Sequence, residues 1–134
     1  MLPFVHEIKL RVRYAETDQM GVVWHGNYLQ YFEDARTEAL RVLGWSYRDM
    51  EKDGVMLPLV EAHLFYHRPA TYDELVTVKV SVLEAPTARL RFDYEVLNER
   101  GEQLVTGHTV LGCVDVATRR PCRPPPRLRE LFKA

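Results

Sequence analysis

The chain has 134 residues, 46% of them hydrophobic and 28% charged, with a formal net charge of −1. That length holds one domain with a sizeable core and is too short for two ordinary ones. The near-neutral balance gives no field to draw in nucleic acid or an anionic membrane, and no apolar run approaches the ~20 residues of a bilayer span.

The first element is a strand from Phe4 to Tyr14. Phe4, His6, Ile8, Leu10, Val12 and Tyr14 share one parity, and Glu7, Lys9, Arg11 and Arg13 the other. A period of two marks one buried and one solvated face, so Tyr14 is expected to continue the buried face. No signal-peptide pattern opens the chain, and a cytoplasmic protein is expected.

A helix follows over residues 27–43, with Asn27 as its expected N-cap and Gly44 as its stop. At ~100° per residue, Tyr28, Phe32, Ala35, Ala39, Val42 and Leu43 fall on one side. Leu29, Leu40 and Tyr31 widen that arc, which suits a helix embraced by a sheet. Arg36 falls inside the arc. Two readings stand for it: a snorkelling side chain, or a buried guanidinium paired with a carboxylate, within the chain or across a subunit interface.

After a polar connection with one further helical turn, four strands are expected: Leu57 to Arg68, Glu74 to Leu83, Ala88 to Asn98, and Gln103 to Val116. Neither face of the first of these is plainly polar, so it is expected to be covered on both sides. "RRPCRPPP" excludes a central strand, and "RLRELFKA" can add a short terminal helix. Short connections require antiparallel pairing, which makes this an α+β domain with one long helix on an antiparallel sheet. One helix cannot cover five strands, so edge pairing into a dimer is expected.

The chemistry concentrates in "YAETDQMGVVWHGNY", residues 14–28. A lone Asp between strand and helix is ordinarily a turn-former. Here Asp18 precedes Met20, Val22, Val23 and Trp24, apolar neighbours that would desolvate a carboxylate and make it a better base or nucleophile. His25 stands just before the helix, as a packed loop residue or as a group that orients a carbonyl. The unpaired N–H groups at the helix start suit an oxyanion developing on a carbonyl oxygen. Other candidates are weaker. Cys113 and Cys122 form no metal spacing or disulfide framework. His63 and His67 lack further ligands for a metal. No nucleophile elbow or phosphate-binding glycine loop is present.

The stretch resembles the signature of the 4-hydroxybenzoyl-CoA thioesterase family of hotdog-fold proteins. It is nearest the small bacterial acyl-CoA thioesterases associated with the Tol-Pal system. The pattern is Tyr14, Thr17-Asp18, Gly21-Val22-Val23, His25, Asn27-Tyr28, Phe32-Glu33 and Ala35-Arg36. Trp24 stands where tyrosine is common and Gly26 where alanine is common. The resemblance implies a long helix wrapped by a five-stranded antiparallel sheet, and homodimers with sites at the interface that often pair into homotetramers. It implies hydrolysis of acyl-CoA with no metal or cofactor, no nucleic acid and no stable membrane insertion. Asp18 is then the catalytic carboxylate, with Tyr14 and His25 beside it. Trp24, Gly26, Asn27, Glu61 and Arg68 are the expected substrate-binding residues, Arg68 toward a nucleotide phosphate unless it pairs with Asp73 or Glu74. Acyl carrier protein as the thiol carrier, or a non-catalytic acyl-CoA-binding module, are the alternatives.

Overall fold

A computed structural model describes residues 2–133. Strand β1 (Phe4–Arg11) leads through a single 3₁₀ turn (Tyr14–Glu16) and a ten-residue loop into helix α1 (Asn27–Leu43). Helix α2 (Tyr47–Lys52), strands β2 (Val55–Met56), β3 (Leu59–Tyr66), β4 (Leu75–Val82), β5 (Leu90–Leu97), β6 (Gln103–Leu111) and β7 (Val114–Asp115), and helix α3 (Pro126–Leu131) complete it. The main sheet is antiparallel in the order β1-β4-β5-β6-β3, and β2 pairs with β7 apart from it.

The period-two strands set the core. Val76, Val78, Val80 and Val82 of β4 and Leu90, Phe92, Tyr94 and Val96 of β5 all turn inward and are buried. α1 packs across β4 and β1. Its buried face is Tyr28, Tyr31, Phe32, Ala35, Arg36, Ala39 and Leu40. The Phe32 ring stacks on Tyr94 with centroids 4.0 Å apart. Burying such a side chain contributes roughly 1.5–3 kcal/mol. Gly107 on β6 is required where α1 and β3 converge, because a Cβ there would overlap the His63 carbonyl and press on Phe32.

Several expectations are corrected. β1 ends at Arg11, where the Val12 N–H turns to the Glu74 carbonyl. The 3₁₀ turn then throws Tyr14 outward, 76% exposed, instead of onto the buried face. The N-cap of α1 is Gly26, and Asn27 is already helical. The arc of α1 is narrower than its sequence implied, with Val42 and Leu29 exposed. β6 stops at Leu111 because the Gly112 N–H goes to the Pro58 carbonyl, and the chain restarts as β7. β3 is a sheet edge, exposed on both faces apart from Leu64. Gly44 does stop α1, with φ 99°.

Candidate active site

The loop before α1 is a small hairpin. Thr17 bridges Val23, Val22 bridges Thr71, and the Asp18 N–H donates to the Val22 carbonyl at 2.9 Å. At its tip the Gly21 N–H returns to the Asp18 carbonyl at 2.9 Å, with Gly21 at φ 80°. Asp18 Oδ1 accepts the Met20 N–H at 2.9 Å. Asp18 is therefore a turn-former after all, through one oxygen. Its other oxygen carries no hydrogen bond among the described residues. The loop does not enclose Asp18 as its apolar sequence implied: Val23 is buried, but Met20 is 80% exposed and Asp18 itself half-buried.

Asp18 lines a cavity of about 270 Å³ together with Met20, Val22, His25, Tyr28, Tyr66, His67 and Arg68. Five of these come from the loop and α1, and three from the end of β3 and the turn after it. The Tyr66 hydroxyl donates to the His25 carbonyl at 3.0 Å, which fixes β3 to the helix start. The His25 ring packs between Trp24, 4.9 Å away, and Tyr66, 6.5 Å away. No hydrogen bond joins it to Asp18 among the described residues. Tyr28 forms the floor. Burial pushes its hydroxyl up to about 12, so it is a neutral phenol at physiological pH.

The helix start supplies donors. The Asn27 N–H goes to the Trp24 carbonyl at 2.9 Å and that of Leu29 to the Gly26 carbonyl at 3.2 Å. The N–H groups of Gly26 and Tyr28 take no part in this backbone bonding. They are the orphan donors of a helix N-terminus, which carries partial positive charge. The Asn27 amide, expected as a cap, instead donates to the Glu16 carbonyl at 2.7 Å. Glu16 in turn accepts from the Tyr31 hydroxyl at 2.9 Å and pairs with Arg13 at 3.2 Å. Sequence reading missed Glu16 and Tyr31 as the clamp behind the loop.

The expected substrate-binding residues separate. Trp24 and Gly26 are coupled, since a Cβ on Gly26 would overlap the Trp24 ring. Arg68 lines the cavity, but its guanidinium pairs with Glu102 at 3.2 Å rather than with Asp73 or Glu74. Glu61 lies outside the cavity, near Arg89 at 3.9 Å and His63 at 3.7 Å. Tyr14 is also outside, edge-on to Tyr72 at 5.6 Å. Among the described residues, no cluster of His, Cys, Asp and Glu could hold a metal ion, and no helix is long and apolar enough to cross a membrane.

A helix embraced by a five-stranded antiparallel sheet, with a carboxylate at the helix start, defines a hotdog-fold protein of thioesterase type. The chain belongs to the thioesterase-like superfamily, whose family model matches residues 12–132. It is 37% identical over 117 residues to a putative acyl-CoA thioesterase, YneP, of Bacillus subtilis, covering 87% of this chain and 85% of that one. It is 31% identical over 125 residues to the acyl-CoA thioesterase YbgC of Haemophilus influenzae, covering 92% and 90%. Among solved structures it resembles the DHNA-CoA thioesterase of Staphylococcus aureus, with TM-score 0.89 and 39% identity over 96% of this chain and 88% of that one.

Proposed function

We propose that the protein is an acyl-CoA thioesterase in which Asp18 drives hydrolysis of the thioester. The observation that carries this reading is the half-free Asp18 carboxylate in a cavity shared with Tyr28, whose N–H is unpaired in the first turn of α1. The names of the three relatives given above, each of a CoA thioesterase, favour CoA over acyl carrier protein as the carrier. The motif from Tyr14 to Arg36 supports a finer reading, that the chain is nearest the 4-hydroxybenzoyl-CoA thioesterases and, within them, the Tol-Pal-associated branch.

In this reading the thioester carbonyl oxygen sits against the Gly26 and Tyr28 N–H groups, which stabilise the oxyanion of the tetrahedral intermediate. Asp18 takes a proton from water as the water oxygen bonds to the carbonyl carbon. The C–S bond then breaks and CoA leaves as a thiolate. A free thiol's pKa is ~8.5, so no strong acid is needed to help it depart. Alternatively Asp18 attacks the carbon itself, expels the thiolate and forms a mixed anhydride that water opens. His25 orients the carbonyl, Trp24 and Tyr28 wall the acyl group, and Arg68 meets a CoA phosphate after exchanging Glu102. In H₂¹⁸O, a single turnover puts label into the Asp18 carboxylate when water opens the anhydride at the Asp18 carboxyl carbon, whereas the general-base route puts it only into the released acid.

Thiol release from a panel of short, long and aromatic acyl-CoAs tests the proposal. Hydrolysis of at least one class is expected. Binding without any release would leave a non-catalytic module.

A further inference from the structure

Two buried groups, Arg36 and Cys113, take no part in the chemistry proposed at Asp18. Arg36 donates from Nε to the Tyr47 hydroxyl at 3.0 Å and from Nη1 to the Tyr94 hydroxyl at 3.4 Å. It pairs with no carboxylate among the described residues, contrary to one of its two sequence readings. Cys113 has a reactive neighbour instead. Cys113 and Cys122 are the chain's two cysteines and both are free thiols. Their spacing in the sequence marks no disulfide framework, yet the fold sets them side by side.

After Asp115 the chain turns back on itself. Asp115 Oδ1 accepts the N–H groups of Ala117 at 2.9 Å and Thr118 at 3.0 Å, the Arg119 N–H donates to the Asp115 carbonyl at 2.8 Å, and Arg119 takes a left-handed φ of 62°. This fixes the register of the return, in which Val114 bridges Pro121 antiparallel. The Asp115 N–H donates to the Arg120 carbonyl and the Cys122 N–H to the Cys113 carbonyl, each at 2.9 Å. Cys113 and Cys122 are thus directly opposite on one face. Such a hydrogen-bonded pair holds its Cα atoms about 5.5 Å apart. A disulfide requires about 4.4–6.8 Å. Cys113 is buried and Cys122 half-buried against the same core. Burial, and then the nearby Cys122, push the Cys113 thiol up to about 11.

We propose that Cys113 and Cys122 form a reversible oxidation site, which a small-molecule disulfide closes into one internal disulfide that fastens the C-terminal tail to β7. The Cys122 thiolate, on the accessible side, attacks one sulfur of the small disulfide, whose S–S bond breaks and releases a first thiolate. Cys113 gives up its proton and attacks the Cys122 sulfur of the mixed disulfide, which expels a second thiolate. The two released thiolates take up the two protons that the cysteines lose. Two protein thiols are oxidised and one small disulfide is reduced to two thiols. The bond closes the loop from Cys113 to Cys122. Just beyond it Pro126 opens α3, whose Leu128 and Phe132 are buried, with Phe132 edge-on to Phe4 at 6.2 Å. Oxidation therefore ties this packed segment to the sheet. In a reducing compartment such a pair rests as thiols and closes under oxidative load.

The test equilibrates the folded full chain with mixtures of oxidised and reduced glutathione, traps free thiols by alkylation, and reads intact mass and peptide map. A single chain lighter by two hydrogen atoms, with Cys113 linked to Cys122, is expected. The folded pair should be half-oxidised at a glutathione ratio at least ~10-fold more reducing than the same chain unfolded in urea, because the fold already closes the loop. Folded Cys122→Ser should give no such product. A link between two chains in place of the internal one overturns the proposal. So does glutathione retained on Cys122 without closure, or a folded pair no easier to oxidise than the unfolded one. None of these readouts involves acyl-CoA, so the site stands or falls apart from the hydrolase reading.

Discussion

Asp18 is held on one side only: one carboxylate oxygen shapes the turn, and the other carries no hydrogen bond among the described residues. The convergence of Asp18 and His25 on one cavity was legible from the motif and from helix-end chemistry, whereas Arg68 was expected only as a phosphate contact. Tyr66 and His67 were not, because they arrive from the end of β3, some 40 residues away, and nothing local marks them. Tyr14 was misplaced because alternation alone does not reveal where a strand gives way to a 3₁₀ turn. The Trp24–Gly26 pair is where the structure adds most. Taken singly, each departs from the usual tyrosine and alanine; together they are one packing solution, the larger ring occupying the space of the missing methyl. Gly26→Ala is therefore expected to cost about 1–3 kcal/mol, in the range of overpacking. Adding Trp24→Ala should return part of that loss, giving a non-additive double-mutant cycle in urea unfolding. Strict additivity would show that the ring moves aside freely.

At the scale of elements, β4, β5 and α1 were legible because hydrophobic periodicity and burial coincide there. β3 was not. Its apolar residues on both faces imply cover, but among the described residues all of β3 except Leu64 stays exposed. In the proposed dimer a second copy would supply that cover. The outer face of the β3–β6 pair also carries a titration signature. His108 stacks on His63 with ring centroids 4.5 Å apart. Burial, then the Arg91 and His63 charges, lower its pKa below the usual 6.5. The unfolded chain thus takes up this proton at higher pH than the folded one. Stability conferred by the neutral ring is intact above pH 6.5 and declines as pH falls below it. The urea midpoint should drop across that acid range, and His108→Gln should flatten the drop, with the size of the change set by solvent screening. An unchanged slope in the variant would assign the pH dependence to other groups.

For the whole molecule, the free β3 edge is the proposed seam of a dimer. Sedimentation is expected to give at least twice the 15.7 kDa chain mass. Exposed strand edges with apolar faces are otherwise aggregation-prone. A monomer that hydrolyses acyl-CoA at full rate would separate the site from the edge. The Asp18 assignment has a more direct test in acyl-CoA turnover by Asp18→Asn, measured as thiol release at equal protein mass. Asparagine can still accept the Met20 N–H, so the turn and the assembly should persist. Loss of the base or nucleophile should lower kcat by at least ~10²–10⁴, the usual range for positioned proton transfer. Near-normal kcat in a correctly assembled Asp18→Asn protein would contradict the assignment and return Asp18 to the role of turn residue.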